Sequence, residues 1–230
     1  MDTPNGYVSS LDKVQSVLRQ RLFGLRWRWE KLNNRLFDYY YGTDTHQEVS
    51  LTTAGVTVNQ AREGNNVYRT FWRREFFQCI DDADIRQESF AFIDIGSGKG
   101  KLLLLASQLG FPEIVGVEYA PKLHEAACNN IDRFKNRSGA SKKIDSVIGD
   151  ALSWPLPQRP ALYFMFNPFD LLTTRAFFSR LEEHATQSCI PTVLIYENLR
   201  GVKERAEAFQ CAKTLLPKIV SSDYMIFRNF

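Results

Sequence analysis

From residue 90 onward the chain alternates short apolar runs with helical patterns, and this alternation restricts the fold more than any other feature of the sequence. Phe90–Ile95 reads as a strand, Lys101–Gln108 as a helix stopped near Gly110, Ile114–Glu118 as a strand, and Pro121–Arg137 as a helix with proline in its first turn. Ile144–Ile148 and Ala161–Phe166 read as strands, Thr173–Ala185 as a helix, Thr192–Tyr196 as a strand and Lys203–Phe209 as a helix. Such units join through right-handed crossovers and build a mostly parallel sheet covered on both faces. Leu215–Val220 and Tyr224–Arg228 lack an intervening helix, and their short link, Ser221–Ser222, predicts an antiparallel hairpin at one edge. The expectation is an α/β chain: a doubly wound, mostly parallel seven-stranded sheet with a C-terminal antiparallel hairpin over residues 67–230, after a helical N-terminal extension and loop over 1–66.

At 230 residues, 44% hydrophobic and 24% charged, the chain has enough apolar material to bury a core without metals or staples. A net charge of +3 is too small to imply nucleic acid by itself. No run approaches the roughly 18 apolar residues that span a bilayer. The opening Met1-Asp2-Thr3-Pro4-Asn5-Gly6 lacks the layout of a signal peptide. Cys79, Cys128, Cys189 and Cys211 are scattered, and His46, His124 and His184 show no ligand spacing. Neither a metal site nor a redox pair is expected, and the cysteine usage fits a cytoplasmic protein.

The chemistry concentrates at predicted strand ends. The first strand runs through Phe92-Ile93-Asp94-Ile95 into Gly96-Ser97-Gly98-Lys99-Gly100-Lys101 and a helix. Ligands of open α/β sheets bind outside the carboxyl ends of strands, and glycines let the backbone approach a ligand. A dinucleotide turn reads G-x-G-x-x-G; here the third glycine comes one residue early and Lys101 stands in its place. Asp94 would repel a pyrophosphate and suits a cationic amino-acid tail, such as that of S-adenosylmethionine. Glu118, 22 residues past Gly96, is placed for ribose hydroxyls or is a solvated acid at a strand end. Asp150 ends the third strand and either accepts from an adenine amino group or caps a turn. Trp154 either covers that base or joins the core. The fourth strand runs into Asn167-Pro168-Phe169-Asp170. Asn167 offers an amide beside the methyl-donor position, Pro168 a carbonyl free of helix pairing, and Phe169 an aromatic face for a cation, unless the segment only starts a turn. Tyr196, Glu197 and Asn198 are expected at the pocket rim, with Glu197 either handling a proton or cation or making a rim salt bridge.

Together these residues resemble the class I S-adenosylmethionine-dependent methyltransferases. Asp94 through Gly100 is similar to the first motif of that family, Glu118 to its second-strand acid and Asp150-Ala151 to its third-strand motif. Asn167-Pro168-Phe169 resembles the N-P-P-[YF] motif of amino-directed methyltransferases, with one proline fewer. Phe92–Asn130 also resembles the histone-lysine methyltransferases built on this fold rather than on a SET domain. Tyr68-Arg69-Thr70, 26 residues before Asp94, is similar to the loop with which those enzymes cover the cofactor. The resemblance spans about residues 66–200. It implies cofactor contacts from Tyr68, Thr70, Asp94, Gly96, Ser97, Gly98, Gly100, Glu118, Tyr119, Asp150, Ala151 and Asn167, and catalytic roles for Asn167, Pro168 and Phe169. The activity it implies is transfer of a methyl group to an acceptor, with an amine nitrogen favoured. The alternative is a non-catalytic cofactor-binding module that serves a partner protein.

The front of the chain has a different character. Leu11, Val14, Leu18, Leu22, Leu25, Trp29, Leu32 and Leu36 recur every three or four residues, which predicts a helix with one apolar face over 10–41, broken or not at Gly24. From Lys13 to Arg35 seven basic residues stand against one acid, Glu30. Three readings stay open: the apolar face packs on the sheet domain as a lid, the basic face takes an acidic partner, or the helix lies on an anionic membrane surface. Residues 42–66 read as a long polar loop, with Tyr41-Gly42-Thr43-Asp44-Thr45-His46 suited to cover a site or to plain surface. A short helix follows at about 71–83.

Overall fold

The structure, a computed structural model, describes residues 10–50, 53–54, 67–139, 143–197, 206–221 and 223–230, and for residues 10–23 and 67 the backbone alone. The long helix α1 spans Ser10–Tyr41. A two-stranded antiparallel ladder pairs β1 (Val49–Ser50) with β2 (Val67–Tyr68), and α2 (Arg73–Asp82) follows. Then come β3 (Ala91–Ile95), α3 (Lys101–Ala106), β4 (Glu113–Glu118), α4 (Pro121–Ser138), β5 (Lys143–Ile148) and β6 (Ala161–Phe166). The chain ends with α5 (Leu171–Ser188), β7 (Thr192–Glu197), β8 (Leu216–Val220) and β9 (Tyr224–Arg228).

The seven strands β3–β9 form one sheet in the order β5-β4-β3-β6-β7-β9-β8. The pairs β3–β4, β4–β5, β3–β6 and β6–β7 are parallel, whereas β9 runs antiparallel to both β7 and β8. The expected α/β architecture and its C-terminal hairpin are therefore present. The chain winds outward from β3 to β5 and then returns to place β6 on the other side of β3. That reversal opens a crevice at the carboxyl ends of β3 and β6, where doubly wound sheets hold ligands.

Alternate residues of each strand feed two cores. One face carries Phe92, Ile114, Ile144, Phe164, Val193 and Ile226, covered by Phe37 of α1, Phe76 of α2, Leu102–Leu105 of α3 and Phe134 of α4. The other carries Ile93, Val117, Tyr163, Met165, Leu194 and Phe227, covered by Phe177 and Phe178 of α5 and by Phe209. Strands buried on both faces must be apolar at nearly every position, which is why β3, β6 and β7 stand out as apolar runs, interrupted in β3 by Asp94 and bounded in β7 by Thr192 and Glu197. Helix ends follow local chemistry. Pro121 opens α4, Gly139 closes it with φ +67°, and the Asp170 carboxylate caps α5 by accepting from the Thr173 N–H at 2.6 Å.

The question left open at Gly24 is settled, and two expectations about local structure need correction. α1 continues through Gly24, where an added Cβ would meet nothing within 4 Å. The stretch expected as loop, 42–66, contains β1, which pairs with β2 immediately after that stretch, and these two-residue strands are too short to show a period. Only Ala206–Phe209 of the helix expected at Lys203–Phe209 is described, and it is a 3₁₀ turn. Residues 51–52, 55–66 and 201–205, parts of the expected loop and helix, lie outside the described residues, as does Ser222 of the hairpin link. Among the described residues no helix is long and apolar enough to cross a membrane.

Candidate functional site

The turn after β3 is built on positive φ. Gly96, Gly98 and Gly100 have φ of +77°, +54° and +81°, which side-chain-bearing residues rarely adopt. Two of these glycines also admit close neighbours. A Cβ on Gly96 would lie 2.5 Å from the Pro168 Cβ, and one on Gly98 would lie 2.2 Å from the Tyr68 ring. The bare faces of the turn thus accept Tyr68 and Pro168, two residues expected at the site. Gly116, inside β4, leaves room in the same way for Ser97, whose buried Oγ has no hydrogen-bond partner among the described residues.

Two carboxylates lie under this turn. Asp94 and Glu118 are 2% and 7% exposed, and both occupy the sheet face that carries Phe92 and Ile114. Burial, and then the nearby Glu118 charge, push the Asp94 carboxyl well above its ordinary range. Glu118 is raised by burial, opposed by hydrogen bonds from backbone N–H groups. Its Oε2 accepts from the Gly98 N–H at 2.7 Å and its Oε1 from the Ala120 N–H at 2.8 Å. Each oxygen has a second lone pair, so Glu118 can fix the turn and still accept from hydroxyls. Asp94 is a buried acid short of positive charge, and a cationic group beside it would relieve that cost.

The neighbouring strand ends fill in the rest. Asp150 Oδ1 accepts from the Leu152 N–H at 2.9 Å, and its carbonyl accepts from the N–H groups of Ser153 and Trp154. This is the turn cap, one of the two roles expected for it. Ala151 is buried, Trp154 packs partly buried on the α5-side core, and Tyr119 is 46% exposed. Beyond β6, Asn167 takes φ +39°, an unusual conformation for a residue with a side chain. Its Oδ1 accepts a hydrogen bond from the Tyr196 hydroxyl at 2.9 Å, across from β7. Strain of this kind persists where the surroundings over-determine it, often at functional positions. Phe169 is half-buried, with its ring centroid 6.4 Å from that of Phe177.

Tyr196 and Glu197, expected at a rim, are instead buried at the end of β7. Neither Glu197 oxygen has a hydrogen-bond partner among the described residues, and burial followed by the Asp223 charge pushes the carboxyl up to about 9. The expected rim salt bridge is absent among these residues, because a side chain on this sheet face meets core rather than solvent. Asn198 lies outside the described residues.

A network that the sequence does not reveal holds the cover. Asp38, buried on α1, accepts from the hydroxyls of Thr43 and Thr45, from the N–H groups of Thr45 and His46, and from His46 Nδ1, at 2.6–2.9 Å. The Thr45 carbonyl accepts from the Tyr68 hydroxyl at 2.8 Å, so Asp38 indirectly fixes the ring that lies on Gly98. Burial raises the Tyr68 phenol above its ordinary range, and charges on Asp38, Asp94 and Asp44 add to it. Lys99 pairs with Asp44 at 3.0 Å, while the Asn130 amide donates to the carbonyls of Asp44 and Lys99. Of the two roles left open for residues 41–46, plain surface does not fit His46, which has a definite partner in Asp38. The only signal in the sequence is the crowding of hydrogen-bonding side chains at 43–46.

No protein-family model matches the chain, and no curated protein matches it. Among solved structures, a precorrin-6y C5,15-methyltransferase from Geobacter metallireducens GS-15 is similar with a TM-score of 0.49 at 16% identity, over 69% of this chain and 88% of that one. An RNA methyltransferase from Salinibacter ruber, in complex with S-adenosyl-L-homocysteine, gives 0.46 at 16% identity over 69% and 91%. A magnesium protoporphyrin IX methyltransferase from Synechocystis PCC 6803 with bound S-adenosylmethionine gives 0.44 at 12% identity over 67% and 75%.

Proposed function

We propose that this chain is an S-adenosylmethionine-dependent methyltransferase whose acceptor is an amine nitrogen. The observation that carries the reading is the pair Asp94 and Glu118, buried together beneath a positive-φ glycine turn beside the crevice where the sheet reverses. A buried acid at Asp94 favours an ammonium group, and the spare lone pairs of Glu118 favour ribose hydroxyls. Ser97 has a buried hydroxyl in need of a partner, which also fits a polar ligand at the turn. Tyr68 would cover the cofactor, with Thr70, Tyr119, Asp150 and Ala151 lining its remaining edge.

S-adenosylmethionine supplies a methyl group on a positively charged sulfur, already activated for displacement. The chain then needs to orient an acceptor and exclude water more than it needs a strong base. Asn167 Oδ1 and the Pro168 carbonyl can accept from the N–H groups of an amine and aim its lone pair. The Tyr196 hydroxyl fixes the Asn167 amide for this task. Burial and the Asp223 charge push the Glu197 carboxyl up to about 9, which suits it to offer a hydrogen bond rather than to serve as a base.

Isothermal titration with S-adenosylmethionine and with NAD tests the first step; binding of NAD alone would sink the reading. Asn167→Ala should lower methyl transfer by about 100-fold or more while changing cofactor affinity less than about threefold. Intact turnover in that variant would overturn the role given to Asn167, whereas cofactor binding by the wild type without methyl transfer to any amine would favour the non-catalytic module.

A further inference from the structure

Docking of α1 on the sheet domain leaves the wrong side of the helix outward for an ordinary amphipathic helix. The side facing the domain is largely polar: Glu30, Asn34 and Asp38 are each 4% exposed or less, alongside Phe37, and Arg26 pairs with Glu75 of α2. The apolar stripe faces solvent. Leu25, Trp29, Leu32, Leu36 and Tyr39 are 62%, 62%, 47%, 53% and 83% exposed. Of the three readings left open, packing of that stripe on the sheet domain as a lid does not hold over residues 25–39. Asp38 forms hydrogen bonds that a leucine could not, so specific polar contacts chose the inward face.

In the sequence this stripe belongs to a pattern with a period of seven. Leu11, Leu18, Leu25, Leu32 and Tyr39 fall on successive d positions of a heptad. Leu22, Trp29 and Leu36 fall on the intervening a positions, with Gln15 the one polar residue among them. A strict seven-residue repeat keeps a narrow seam in step with a second, supercoiling helix. A bilayer imposes no such period, and it favours a broader apolar face than this one, which arginines border on both sides. Five bordering positions are basic, Arg21, Arg28 and Arg35 at g and Arg19 and Arg26 at e, Arg26 being also paired with Glu75; the others are Val14 at g and Asp12, Asn33 and Tyr40 at e. In a parallel pair of copies Arg21 would face Arg26, and in an antiparallel pair g arginines would face each other, so a second copy is disfavoured. Acidic residues at e and g of a different helix would meet them favourably.

We propose that the outer face of α1 is a coiled-coil seam for an acidic amphipathic helix of another polypeptide, with branched aliphatic residues at a and d and glutamate or aspartate at e and g. The inference is independent of the catalytic reading.

The test uses the full chain and two synthetic four-heptad peptides, both with Ile at a and Leu at d, one with Glu at e and g and the other with Lys. Labelled Glu peptide should bind, weaken about tenfold or more between 50 mM and 500 mM salt, and bind about 100-fold more tightly than the Lys peptide. Leu25→Gln with Leu32→Gln and Leu36→Gln should abolish binding without changing the far-ultraviolet circular dichroism, because these side chains already face solvent. Arg28→Glu with Arg35→Glu should reverse the preference toward the Lys peptide, which a merely unfolded variant would not do. Failure of the Glu peptide to bind overturns the proposal. So does self-association of the wild type, or binding to phosphatidylserine vesicles, that the leucine substitutions remove.

Discussion

A single missing carbon at Gly98 connects sequence, cover and site. The residue has φ +54°, and the Tyr68 ring occupies the space where a Cβ would stand. Gly98→Ala therefore has two penalties: about 1–2 kcal/mol for the left-handed conformation, and roughly 1–3 kcal/mol for pushing the ring aside. The sum should appear as a fall of about 3 kcal/mol in unfolding free energy and as weakened cofactor binding. Tyr68→Ala removes the clash but not the backbone strain. In a double-mutant cycle followed by chemical denaturation, the second substitution should recover a large part of the first one's loss. Strictly additive effects would mean that ring and turn do not meet. Spacing alone marks Gly98 as special, but it does not say that a side chain 30 residues earlier fills the gap.

Among the elements, those that bury both faces are the most legible in the sequence. β3, β6 and β7 are fully or almost fully buried, so their composition has to be uniformly apolar, and the polar residues that interrupt these runs mark the site at their ends. The helix α1 is legible in length but not in orientation. Hydrophobic periodicity locates an apolar stripe; it does not register a polar side chain that becomes buried because it finds partners on another segment. Asp38 is the clearest case, since its partners at 43–46 belong to an irregular segment with no pattern of its own. Burial pushes its carboxyl up, yet the hydrogen bonds from Thr43, Thr45 and His46, aided by the Lys101 charge, outweigh this and lower it overall. Asp38→Ala leaves several buried donors unpaired, and should cost about 3 kcal/mol or more. Limited proteolysis should then cut near residues 43–48 while the sheet persists. Unchanged protease resistance would mean that the segment is held by something else. The contribution of this carboxylate is present above about pH 3.9 and fades as pH falls through its lowered folded value.

At the scale of the whole molecule, two buried ionisable groups, Glu197 and the Asp38 neighbour Lys101, tilt stability with pH in opposite directions. Glu197 is pushed from 4.5 up to about 9, so between those values the unfolded chain has released a proton that the folded chain keeps. Stability is then highest below the lower value and declines as pH rises toward the upper one. Lys101 lies with its Nζ 3.4 Å from the centroid of the Phe37 ring, and burial, opposed by Asp38 and aided by Arg73, pushes it from 10.5 down to about 7. The folded chain therefore gives up that proton first, and stability rises with pH from 7 toward 10.5. Of these two groups, Glu197 alone tilts stability from 4.5 to 7, the two oppose each other from 7 to 9, and Lys101 alone acts above 9; the raised carboxyls of Asp94 and Glu118 add to the downward slope of Glu197. Glu197→Gln keeps the shape of the protonated acid and removes its titration. It should leave the thermal midpoint at pH 4.5 nearly unchanged and raise it at pH 7 by about 5 °C, on the order of 2 kcal/mol for a chain of this size. Lys101→Met should do the reverse, stabilising at pH 6 and having little effect at pH 10. If the glutamine variant tracks the wild type from pH 4.5 to 7, Glu197 is ionised in the folded chain and must hold a cation there.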